Sequence, residues 1–196
     1  PLALEFAKKY SVIGLDTNKN RIKLCKKKYR SKNISFTSSA LGISQCNIFI
    51  VAVPTPIFTN KKPDLTFIKN ACITVSKNLK KQDLVIFEST VYPGLTEEVC
   101  IKLLEKKSNL SLNKDFYVGY SPERINPGDK KHTIEKIVKI TSGSNKKAAL
   151  LVDKLYKSII KAGTYRVSSI KIAEASKVIE NTQRDLNIAF VNELKI

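Results

Sequence analysis

The sequence predicts an α/β fold: a doubly wound parallel sheet followed by one long helix. Short apolar, β-branched runs alternate with longer stretches at helical spacing. Several of those runs lack polar alternation, as strands covered on both faces do. The alternation stops near Val167–Ser169, and from there the pattern stays helical, with neither glycine nor proline, to Ile196.

Taken in order, Pro1–Tyr10 has helical spacing, and Tyr10–Asp16 (YSVIGLD) is a strand ending in an acid. A lysine-rich helix follows from about Lys19 to Tyr29, then a short strand at Ile34–Thr37 and a helical turn at Leu41–Cys46. Asn47–Val53 (NIFIVAV) is a buried strand halted by Pro54 and Pro56, because proline cannot donate to a ladder. Asp64 is placed to cap a helix reaching Leu79, with Leu65, Ile68, Ala71, Cys72 and Val75 on its apolar side. After the strand Asp83–Glu88, Pro93-Gly94 opens a helix to about Lys106, proline being tolerated in a first turn. Phe116–Tyr120 and Ile137–Thr141 are strands, Asn145–Ile160 is an amphipathic helix, and Thr164–Val167 is a last strand. Two domains are expected: 1–167, a sheet domain, and 168–196, the start of a helical one.

Composition narrows the class. The chain has 196 residues, 35 basic against 17 acidic, for a net charge of +18. Lysine supplies 30 of the basic residues and arginine 5, scattered rather than clustered, which argues against nucleic-acid binding and for a solvated surface. No apolar run is long enough to span a membrane. Cys25, Cys46, Cys72 and Cys100 lie far apart and His132 is the sole histidine, so no metal site and no disulfide scaffold are expected, and the setting is cytoplasmic. The chain holds no methionine and both ends fall within helical patterns, so an internal fragment of a longer protein is expected.

The unusual residues collect where strands end, which in an open parallel sheet is where ligands gather. Asp16 either caps the next helix or accepts hydrogen bonds from ribose hydroxyls, favouring NAD over NADP, and Arg21 lies one turn on. Val53-Pro54-Thr55-Pro56 must turn out of the sheet toward a crevice. Ser89 and Thr90 precede the Tyr92-Pro93-Gly94 helix start, with hydroxyls for a ribose or nicotinamide, or simply for turn chemistry. Ser121-Pro122-Glu123-Arg124-Ile125-Asn126-Pro127-Gly128 sets a carboxylate beside a guanidinium, as a base next to an anionic ligand or as a structural salt bridge. On the last helix Lys177 and Asn181 share a face, with Glu174 and Asp185 near it; this is a stripe aimed into a cleft or a solvated surface. The cysteines have no activating neighbour and read as packing residues.

Taken together, Asp16, the Val53–Pro56 turn, Phe87–Gly94 (FESTVYPG), Tyr120–Lys131 (YSPERINPGDKK) and Lys177–Asn192 (KVIENTQRDLNIAFVN) resemble the UDP-glucose/GDP-mannose dehydrogenase family. The likeness is to its branch acting on UDP-N-acetylhexosamines, and it covers essentially the whole chain. It implies a Rossmann-like domain and a central helix that forms a homodimer. It also implies oxidation of a sugar C6 alcohol to a carboxylate with two NAD, through a cysteine-bound thioester. By position, Asp16 and Arg21 would hold the adenosine end of NAD, and Val53, Pro54, Thr55, Ser89 and Thr90 the rest, with Thr90 near the reacting centre. Glu123 would serve as base for the hydrolytic water, and Lys177 and Asn181 would stabilise the oxyanion. Glu123, Arg124, Ile125, Asn126, Lys177 and Asn181 would touch the sugar nucleotide.

Three departures accompany the likeness. The glycine fingerprint and first strand are missing before Pro1, the family's G-G-x-C cysteine is missing after Ile196, and Pro127 stands where the glucose enzymes carry a second glutamate. The chain alone is therefore expected to be inactive. The contrasting expectation is a non-catalytic basic α/β module or a decayed gene remnant.

Overall fold

The computed structural model describes residues 1–123 and 134–195. Its elements are α1 (Leu2–Ala7), β1 (Val12–Leu15), α2 (Lys19–Lys28), β2 (Ile34–Thr37), β3 (Ile48–Val51), α3 (Thr66–Ser76), β4 (Leu84–Phe87), α4 (Lys102–Ser108), β5 (Tyr117–Tyr120), β6 (Lys139–Gly143), α5 (Lys146–Lys157), β7 (Thr164–Arg166) and α6 (Ile170–Glu193). Short 3₁₀ turns at Ala40–Ile43 and Ile134–Lys136 and a π turn at Thr96–Ile101 complete them.

The strands sort side chains by parity. In β4, Val85 and Phe87 enter one apolar cluster and Leu84 and Ile86 the other, all four almost without exposure. The first cluster lies under α3, α4 and the start of α6 through Ile68, Cys72, Leu104, Ile170 and Ala173. The second lies under α1 and α5 through Phe6, Ala148, Val152 and Tyr156. Helices on both faces make this the expected Rossmann-like architecture.

Pairing follows two runs, β1-β2 and β3-β4-β5-β6-β7. β1 through β5 pair in parallel wherever they meet. β6 departs from the expected parallel course: it runs antiparallel to β5, with Gly119 opposite Gly143, and β7 runs parallel to β6. Ile13 and Leu15 of β1 pack on the first cluster and Val12 on the second, so both layers continue across from β1 to β3, although no strand pairing joins these two among the described residues.

Local chemistry corrects three sequence expectations. Asp16 is not the cap of α2; Asn18 is, its side chain accepting from the N–H groups of Asn20 and Arg21 at 3.0 Å each. Leu65 occupies the cap position of α3, while Asp64 Oδ1 accepts from Thr66 N at 2.9 Å one residue outside it. The helix after β4 begins at Thr96 rather than Pro93, because Gly94 takes φ +101° and breaks the first turn.

Candidate functional site

The carboxyl ends of the parallel strands form one rim, and hydrogen bonds stitch two of its loops together. Ser89 Oγ, at the end of β4, donates to Val53 O after β3 at 2.7 Å. Thr55 Oγ1 donates to Thr90 O at 2.5 Å. Both hydroxyl protons are thereby committed, leaving oxygen lone pairs to accept from a ligand. Ser89 is buried and Thr90 exposed, so the rim presents Thr90 to solvent. At the end of β1, Asp16 Oδ1 accepts from Asn18 N at 2.8 Å, and Oδ2 lies 3.5 Å from Arg21 Nε.

Beneath the rim lies a cluster of ionisable groups of which sequence reasoning gave a role to Glu123 alone. Glu88 is wholly buried; its Oε1 accepts from the Tyr156 hydroxyl of α5 at 2.5 Å and lies 2.9 Å from Lys139 Nζ. Lys139 Nζ also lies 3.9 Å from Glu123 Oε2, after β5, and 5.2 Å from the Tyr156 ring centroid. Burial pushes the Glu88 carboxyl up from its usual range, an effect the Lys139 charge partly offsets. Burial, and then the Glu88 charge, pushes the Tyr156 hydroxyl well above the tyrosine range. The reversed β6 makes this cluster possible. Its first residue, Lys139, lies beyond the carboxyl end of β5, where a parallel strand would instead put its last.

The long helix is fastened by its beginning. Ser169 caps it, accepting from Ile172 N at 3.2 Å. Glu174, fully buried, accepts from Gly94 N at 2.5 Å and Thr96 N at 2.9 Å, at the start of the π turn that follows Thr90. Glu174 thus points into the sheet domain as a cap rather than lining a cleft. One turn on, Lys177 is 14% exposed and lies 3.9 Å from Glu180, while Asn181 and Asp185 are exposed.

The structure therefore joins Val53 to Ser89, Thr55 to Thr90, and Glu123 to Glu88 through Lys139, and links the Lys177 helix to the Thr90 loop through Glu174. Asp16 and Arg21 meet each other at the neighbouring strand end. Arg124, Ile125 and Asn126 lie outside the described residues. Lys139 has one visible signal in the sequence, a lysine between Val138 and Ile140 in an apolar strand; Tyr156 has none, being one aromatic residue in an amphipathic helix. Cys25 and Cys46 are partly exposed. Cys72 and Cys100 are buried, and contact with Cys72 together with burial pushes the Cys100 thiol up. Among the described residues no group of histidine, cysteine or acid side chains suits a metal ion, and no helix is long and apolar enough to cross a membrane.

Comparison with known proteins shows what the chain is similar to. Residues 18–160 match the profile of the UDP-glucose/GDP-mannose dehydrogenase family, NAD binding domain. A UDP-N-acetyl-D-glucosamine 6-dehydrogenase of Pseudomonas aeruginosa is 54% identical over 100% of this chain and 49% of its own length. One of the same name from Salmonella typhi is 53% identical over the same shares. The solved UDP-D-ManNAc dehydrogenase of Pyrococcus horikoshii superposes with a TM-score of 0.91 at 33% identity, covering 98% of this chain and 50% of that one. The chain spans about half the length of the relatives it matches.

Proposed function

The chain belongs to the UDP-glucose/GDP-mannose dehydrogenase family, and from that premise we propose that it forms the NAD-binding part of a nucleotide-sugar 6-dehydrogenase. The substrate is a UDP-N-acetylhexosamine, foremost UDP-N-acetylglucosamine, whose C6 alcohol becomes the uronic acid used in surface polysaccharide. The two relatives at 54% and 53% identity carry that substrate in their names. The observation that carries the proposal is the single rim: two strand-end loops and the start of α6 held to one another by named hydrogen bonds, with Glu123 of a third loop reached through Lys139, the buried partner of Glu88.

The residues present fit NAD. Asp16 is a half-buried, ordered acceptor at a strand end, which suits a ribose diol and repels a ribose phosphate. Asp16 and Arg21 would hold the adenosine end, and Val53, Pro54, Thr55, Ser89 and Thr90 the remainder, where spent hydroxyls leave acceptors for carboxamide or ribose donors. When bound, NAD supplies the hydride acceptor. Glu123 takes a proton from the hydrolytic water and Lys177 and Asn181 stabilise the oxyanion, while Arg124, Ile125 and Asn126 contact the sugar nucleotide.

The covalent step calls for a reactive thiol, whereas Cys72 and Cys100 are buried and the Cys46 and Cys100 thiols are pushed up, the reverse of activation, so the activity is assigned to a protein that supplies one. One more parallel strand between β1 and β3 belongs to the same proposal, supported by the layers that run continuously across that boundary. So does division into 1–167 and 168–196, with dimerisation through α6, whose Ile179, Leu186, Phe190 and Leu194 are each at least 64% exposed. A cytoplasmic setting completes it.

NADH absorbance tests the proposal. The chain alone, mixed with NAD and UDP-N-acetylglucosamine, is expected to produce none. The intact protein that contains it is expected to turn over, and Glu123→Gln to lower kcat roughly a hundredfold or more. An intact protein that binds NAD but oxidises no UDP-sugar sinks it.

A further inference from the structure

We propose that Lys139 is a positioning residue for Glu123: its buried ammonium, shared between Glu88 and Glu123, sets the charge and aim of the Glu123 carboxylate. The assignment of Glu123 as base rests on the function proposed above; the shared cation does not.

Three elements face Lys139 with titratable groups: Glu88 at the end of β4, Glu123 after β5 and Tyr156 on α5. The lysine side chain is 4% exposed, so water does little to solvate its charge. The Tyr156 proton already occupies Glu88 Oε1, the oxygen nearest the ammonium. Lys139 Nζ makes no hydrogen bond of good geometry among the described residues, so its donors are not used up by Glu88. Glu123 Oε2, at 3.9 Å, is one small side-chain adjustment from accepting one. Two carboxylates thus compete for a single cation, the inner one buried and fixed by Tyr156, the outer one 34% exposed and facing the rim. A buried charge between two acids is costly to assemble for stability alone. Here it gives the partly exposed acid a counter-charge from below.

Competition makes a prediction that structural damage does not. Removing Glu88 releases Lys139 to Glu123; removing the Lys139 charge takes that counter-charge from Glu123. Carbodiimide-driven coupling of an amine at pH 5, mapped by peptide mass spectrometry, reads the neutral fraction of Glu123 in the chain. Glu88→Gln is expected to slow coupling at Glu123 about threefold and Lys139→Met to speed it about threefold. Lys139→Met combined with Glu88→Gln, which leaves no buried charge unpaired, is expected to keep the faster rate. Matching circular dichroism confirms that the variants share a fold. Changes of the same sign in the two single variants, or no change in either, overturn the proposal. In the intact protein the acid limb of kcat is expected to move in the same opposite directions. Should the wild type show no turnover, the dehydrogenase function falls while the coupling rates still decide the role of Lys139.

Discussion

Glu174 is a carboxylate without exposure and, among the described residues, without a cationic partner; two backbone N–H groups at the head of the π turn satisfy it. Hydrogen bonds to a charged acceptor are worth more than neutral ones, and a buried donor left unpaired costs a further penalty. Glu174→Ala is therefore expected to lower the unfolding free energy by about 3 kcal/mol, read as a fall in the urea midpoint. A change within error would show that the contact adds nothing. Neither this residue nor Lys139 was legible as a buried charge. Periodicity reports which face of an element a residue occupies, and charged residues default to the solvent face. Their burial is decided by what arrives from elsewhere: Gly94 and Thr96 for the one, Glu88 and Tyr156 for the other. Asp16, Thr55, Thr90 and Glu123 were legible because each follows an apolar run at its end, where any polar side chain reaches the rim.

At the level of elements, strands and helices were found within a few residues of where the alternation put them, but not their direction. A strand's apolar pattern reads the same in both senses, and the reversal of β6 is set by its surroundings. Gly143 sits so close to the backbone of Ala148 and Ala149 that a Cβ would come within 2.2 Å of Ala149 N. That approach lets α5 turn back at once over β6 and β5. A second tie holds α1 to this corner. Glu135 pairs with Lys8 at 2.7 Å and with Lys161, and these partners, Lys161 first, hold its carboxyl down to about 2. Since the folded value lies below the ordinary 4.5, the stabilisation is full above the unfolded value and is lost as pH falls through the folded one. Acid titration of the melting temperature is expected to fall less steeply between those limits in Glu135→Gln. An identical slope would place the acid sensitivity elsewhere.

For the molecule as a whole, charge and topology pull against each other. β1 pairs only with β2, and β3 only with β4, so each keeps a second edge of backbone groups with no strand partner among the described residues. Bare edges are templates for another chain's backbone. In the chain by itself the net charge of +18 opposes that pairing, since like-charged molecules repel before their edges can meet. Its reach depends on the buffer: the screening length is roughly 30 Å in 0.01 M salt and roughly 8 Å at 0.15 M. Light scattering from a dilute sample should accordingly stay flat in the weaker buffer and climb over hours in the stronger, with a short β-branched peptide delaying the climb; turbidity indifferent to salt would remove lysine from that role. On these terms the abundant lysines hold the isolated chain apart from its neighbours only until salt screens them, and the strand proposed between β1 and β3 would close the same seam in the intact protein.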